Sequence, residues 1–167
     1  MTLRSLAILS VLSALLLGGC GFQLRGEAKL PPEMAHTQMI IDDPYSTLAR
    51  RVTIMLERSG VRFVGAEQAT AILEIPQTEV VTEVLTIADN ARVREYRLTY
   101  TVRFRLTGGD GRELIGWQTL RQAREISFDE QQILASSREQ EYLREELADT
   151  LAQLLVARLE TLYVGQG

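Results

Sequence analysis

The chain has 167 residues, 18 basic, 22 acidic and one histidine, with a formal net charge of −4. That length allows one domain with a sizeable core, and the mild acidity argues against a nucleic-acid partner, which usually calls for a basic domain. With one cysteine and one histidine in the whole chain, metal sites built from several such residues and any internal disulfide are excluded by count.

The first residues have the layout of a signal peptide: Arg4, then a run from Leu6 to Leu17 with nothing more polar than Ser10 and Ser13. The run falls well short of the roughly 20 apolar residues that a membrane-spanning helix needs. It closes on Leu17-Gly18-Gly19-Cys20, which has the form of a bacterial lipobox. There the thiol of Cys20 takes a diacylglycerol and becomes the first residue of the mature chain. The alternative is an ordinary signal peptide with a cysteine nearby. An unmodified lone cysteine would remain a free thiol in an oxidising compartment, which favours lipidation. Stable anchoring takes more than one acyl chain, as lipoproteins carry. Gly21, standing where an inner-membrane retention signal of enteric bacteria has Asp, favours the outer membrane. Residues 1–19 are therefore expected to be signal, 20–36 a lipidated extended tether broken at Lys29-Leu30-Pro31-Pro32, and 37–167 a single domain.

Within that domain a short strand is expected over Gln38–Asp42, then a turn at Asp42-Asp43-Pro44 with Ser46 or Asp43 as helix cap. Leu48, Val52, Met55 and Leu56 recur at helical spacing over Thr47–Ser59, and Gly60 supplies the left-handed stop. Val61–Val64 reads as a short extended piece before a loop over Gly65–Thr70. Ala71–Ile87, rich in Val, Ile and Thr, reads as a long strand with an edge position or bulge at Pro76. After a turn at Ala88–Ala91, Tyr96, Leu98, Tyr100, Val102, Phe104 and Leu106 alternate with Glu95, Arg97, Thr99, Thr101, Arg103 and Arg105. This is a strand with one core face and one wet face. Thr107–Gly111 makes a hairpin turn into a return strand, Glu113–Ile126, carrying Ile115 and Trp117. Ser127–Ser136 reads as irregular. Ser137 with Gln140 forms a capping box, and Leu143, Leu147, Leu151, Leu154, Leu155 and Leu162 make the stripe of a final helix from Arg138. The order β-α-β-β-β-α gives an α+β fold, two helices packed on one face of a four-stranded mixed sheet.

Enzymatic inventories are poor. His36, the only histidine, falls in the tether, and Cys20 is taken by lipid, so a histidine-activated nucleophile has no members in the domain. Gly108-Gly109-Asp110-Gly111 joins two strands and precedes no helix, so it is not a phosphate loop. Glu79 and Glu83 are a carboxylate pair in principle, yet glutamates four apart in a strand more often face solvent. The basic residues are nearly all arginine, Lys29 being the one lysine. This reflects either codon usage in a GC-rich genome or a need for bidentate guanidinium contacts to phosphate or carboxylate. The wet face of Arg97, Thr99, Thr101, Arg103 and Arg105 is either solvated or docked into something polar.

The cysteine of the lipobox followed at once by Gly21-Phe22-Gln23-Leu24-Arg25-Gly26 resembles the LPS-assembly lipoprotein family LptE. The element order downstream matches that family as well. The resemblance implies a non-enzymatic outer-membrane lipoprotein with no cofactor. Its partners would be a β-barrel of the LptD type, whose polar lumen the domain plugs and whose assembly it aids, and lipopolysaccharide. Phosphates on that lipid call for basic contacts, and Arg92, Arg94 and Arg138 are the candidates. The family's own basic positions coincide with Asp89 and Ser136, so this nomination rests on charge and location. An anchored periplasmic scaffold for peptidoglycan or another envelope complex is the alternative reading.

Overall fold

The computed structural model describes residues 30–87, 93–127 and 133–164. A 3-10 turn at Pro32–Ala35 leads into β1 (His36–Ile41), then α1 (Thr47–Arg58), β2 (Arg62–Phe63) and a second 3-10 turn at Ala66–Gln68. Three long strands follow, β3 (Ala71–Ile87), β4 (Val93–Gly108) and β5 (Glu113–Ser127), and the chain closes with α2 (Ile133–Val164). The strands form one mixed sheet in the order β2-β1-β3-β4-β5, with β1 parallel to both its neighbours and β3, β4 and β5 an antiparallel meander. The architecture is the expected α+β sandwich, except that the sheet has five strands rather than four. The fifth, β2, pairs only His36 with Arg62 and Thr37 with Phe63. Two residues are too few for a period-two pattern to be visible in sequence.

Leu98, Tyr100, Val102, Phe104 and Leu106 of β4 are all buried, as their alternation requires. Leu73 and Ile75 of β3 and Ile115, Leu120 and Ile126 of β5 extend the same face, and Leu48, Val52 and Leu56 of α1 close over it. From α2 come Leu147, Leu151, Leu155 and Leu159, each fully buried, with Ala148 and Ala152 letting the helix approach closely. Leu154, expected in that stripe, is 37% exposed, because it sits about 100° round the helix from Leu155. Burial raises the Tyr100 phenol above its ordinary pKa, and the Asp43 carboxylate adds to the effect.

Local signals account for α1. The Ser46 hydroxyl accepts from the Ala49 amide at 3.1 Å, which caps the helix, while Asp43 accepts from the Tyr45 amide in the preceding turn. Gly60, at φ +91°, takes the left-handed conformation that ends the helix. The last helix departs from expectation at its start: Ile133–Ser136 are helical and Ser137 lies inside α2, so the capping box does not mark its beginning. Ile133-Leu134-Ala135 contains two strong helix formers, which carry the helix upstream of the serines. Ser127, placed in the irregular stretch by sequence, ends β5.

The end of the expected tether belongs to the fold. Met34 is fully buried, the Thr37 hydroxyl donates to the Met34 carbonyl at 2.7 Å, and His36 opens β1 with its side chain exposed. Thr70 ties this entry to the far hairpin. Its amide donates to the His36 carbonyl and its carbonyl accepts from the Gly109 amide, both at 2.8 Å. A Cβ at residue 109 would stand 2.6 Å from the Ala69 carbonyl oxygen, so the β4–β5 turn docks only with glycine there.

The packing makes a direct prediction. Leu98→Ala and Leu151→Ala should each cost about 2–5 kcal/mol in urea unfolding, whereas Leu154→Ala should stay within about 1 kcal/mol. Equal costs at all three positions would contradict the assignment of the buried stripe.

Candidate functional site

Both helices lie over the core face, so the opposite face of the meander is open among the described residues. Register sets its pattern. Between β4 and β5, Arg97 faces Glu125, Thr101 faces Arg121 and Arg103 faces Thr119. Between β3 and β4, Glu74 faces Arg105, Glu79 faces Thr101 and Glu83 faces Arg97. The Arg97 guanidinium donates to Glu125 at 2.7 Å, and Arg105 donates to Glu74. In each case that hydrogen bond is the first cause holding the arginine further toward its charged form.

Trp117, on the edge strand β5, gathers two arginines of this face. The guanidinium carbons of Arg103 and Arg105 lie 4.3 and 4.7 Å from its ring centroid, within cation–π range of the negative face of the indole. Arg103 and Arg121 have no ion pair among the described residues. The surface is therefore a mixed-charge, hydrogen-bonding plane with a partly exposed aromatic in it, suited to recognising polar chains and anionic groups. On the helix side a shallow hollow of about 280 Å³ lies between Met55 and Arg58 of α1 and Val156 and Glu160 of α2. Among the described residues no three of His, Cys, Asp and Glu are grouped so as to hold a metal ion.

The candidates named from sequence fall mostly at the margins. Cys20 and Arg92 lie outside the described residues, and Arg94 is in β4 with only its backbone described. Arg138 is exposed on α2, eight positions before Glu146, which pairs with Arg124 of β5 at 3.0 Å. Because Ile87 pairs with Val93 and Glu95 with Ser127, the backbone of Arg94 and the N-terminal part of α2 share one end of the sheet. The Arg103–Trp117–Arg105 stack was not anticipated. The alternation placed the two arginines on the wet face, but nothing in one sequence gives the stacking of a residue from the next strand.

Comparison with known proteins points one way. A family model described as LptE, lipopolysaccharide-assembly, matches residues 37–159, which run from β1 into α2. An LPS-assembly lipoprotein LptE of Photorhabdus laumondii is 28% identical over 163 residues, covering 96% of this chain and 87% of that protein. Its counterpart in Yersinia enterocolitica is 30% identical over 167 residues, covering 98% and 79%. Among solved structures, an uncharacterized lipoprotein B from Nitrosomonas europaea superposes with a TM-score of 0.69 at 26% identity, over 84% of this chain and 90% of that one. The rare lipoprotein B of Shewanella oneidensis gives 0.69 at 24% identity, over 78% and 98%, a likeness of fold.

The stack on the open face is measurable. A double-mutant cycle between Arg103→Ala and Trp117→Ala should return a coupling of about 0.5–1 kcal/mol in urea unfolding. A coupling of zero would mean that the guanidinium does not rest on the indole.

Proposed function

The chain belongs to the lipopolysaccharide-assembly family LptE, and from that premise we propose that it is an outer-membrane lipoprotein, anchored through Cys20, that plugs and helps assemble a β-barrel of the LptD type. In this reading the two proteins form the translocon that delivers lipopolysaccharide to the outer leaflet, and the chain's own role is non-enzymatic. The observation that carries the proposal is the family match, which covers the sheet but for its first residue, all of α1 and most of α2. The open sheet face supports it: a plane made mostly of arginine, glutamate and threonine matches the polar interior of a large outer-membrane barrel. No described helix is long and apolar enough to cross a membrane, so attachment in this reading comes from the lipid and the barrel.

Lipopolysaccharide contact is assigned to Arg92, Arg94 and Arg138. Their support is charge and, for Arg94 and Arg138, the shared end of the fold: Arg138 is exposed, and guanidinium forks bind phosphate in bidentate fashion.

Gentle detergent extraction of the tagged full-length chain from its native membrane should bring down one large β-barrel protein in near-equal amount. Recovery of the lipoprotein alone would overturn the barrel reading in favour of an anchored scaffold. Separately, replacing Arg92, Arg94 and Arg138 together by Glu should weaken lipopolysaccharide binding by about tenfold or more, the scale expected from losing charge-assisted contacts. The circular dichroism should stay unchanged, and undiminished binding would remove these three as contacts.

A further inference from the structure

Beyond Ile75 the outer edge of β3 is unpaired among the described residues. Its parallel partnership with β1 ends at Ile41 opposite Ile75, and the Asp42 amide makes the last bond, to the Ile75 carbonyl. Pro44 and the turn into α1 then take the chain away, while β3 continues to Ile87, bonded in ladders only to β4. A bare strand edge presents a row of amides and carbonyls ready for another chain, and proteins normally blunt it with charge, proline or brevity. The opposite edge, β5, follows that practice with Arg121, Arg124 and Glu125.

The free part of β3 does the reverse. In the nine residues 77–85, Val80, Val81, Val84 and Leu85 are 40, 39, 49 and 38% exposed, a density of bare aliphatic side chains found nowhere else on the described sheet. The shift in register beside Pro76 puts Glu79, Val81 and Glu83 on the open face and Val80 and Val84 on the helix side. Both faces of this edge are therefore apolar in part, and one carries two carboxylates. Glu79 has no ion pair among the described residues, and Arg97, opposite Glu83, spends its hydrogen bonds on Glu125.

Charge selects the occupant. Full-length antiparallel pairing of residues 77–85 with a second copy would set Glu79 directly against Glu83 twice over, and like charges directly opposite in a ladder are destabilising. A strand bearing arginine or lysine on that face gains two attractive cross-strand pairs instead, and aliphatic side chains at the intervening positions cover Val80 and Val84. We infer that the edge of β3 at residues 77–85 is a strand-addition site for an extended segment of a partner polypeptide in which aliphatic and basic residues alternate. Main-chain hydrogen bonds supply the affinity and the two glutamates the selection, as in other cases of β-augmentation. This holds whichever envelope machine the domain serves.

The test uses the full mature chain in detergent and a short fluorescein-labelled peptide alternating valine with arginine, read by anisotropy. The peptide should bind, a version with N-methyl groups along one edge should lose at least about tenfold, and replacing its arginines with glutamates should do the same. Glu79→Lys with Glu83→Lys, both exposed and expected to fold, should weaken the basic peptide and favour the acidic one. Amide exchange should slow in 77–85 when the basic peptide is bound. Equal binding of the N-methylated peptide, indifference to the double variant, absence of binding, or protection of 77–85 that grows with protein concentration without peptide would each overturn the inference. The last would mean that a second copy is the occupant.

Discussion

The whole molecule hangs on the period of two along β4. Five consecutive inward positions, Leu98 to Leu106, are apolar and buried, and the intervening residues are charged or threonine. A strand so written can bury only one face. Everything packed against it must come from that side, so α1 and α2 share a layer and α2 turns its i, i+4 leucines down onto the sheet. The same alternation leaves the other face open and polar. Core and candidate docking surface are thus two consequences of one pattern, and a slip of one residue would exchange them.

Much of the fold was legible for that reason. The alternation of β4, the serine cap and glycine stop of α1, and the leucine repeat of α2 are strong local signals that agree with one another. Most of what escaped was decided by contacts distant in sequence. Residues 62–63 become a strand only because His36 and Thr37 lie beside them. Met34 is core only because Thr70 and the strand start bring the entry turn onto the sheet. The upstream start of α2 shows a capping motif outweighed by helix formers that precede it.

The open face was half legible. Two bulges interrupt the β4–β5 ladder, between Phe104 and Leu106 and between Leu106 and Thr107. Each shifts the pairing by one residue, so together they restore the phase, and Trp117 shares a face with Arg103 whether or not they are foreseen. On β3 the shift between Glu74 and Gln77, at the proline, is the only one before Val84, and it reverses the phase of the residues from 77 to 84. Without it Glu79 and Glu83 would point toward the helices. The proline suggested a bulge, but the consequence for every later side chain needed the register itself. Of the residues nominated for lipid contact, Arg138 is exposed, Arg94 is placed by backbone alone, and Arg92 and Cys20 lie outside the described residues.

The bonding of Thr70 to both His36 and Gly109 carries a mechanical meaning. It clamps the entrance of the domain and the β4–β5 turn together at one pole, while β3 runs 17 residues away to the other. At about 3.3 Å per residue that strand spans roughly 55 Å, more than the hydrocarbon thickness of a bilayer. A force arriving through the entry turn would therefore meet the sheet first at the clamped pole, a full strand length from Arg94.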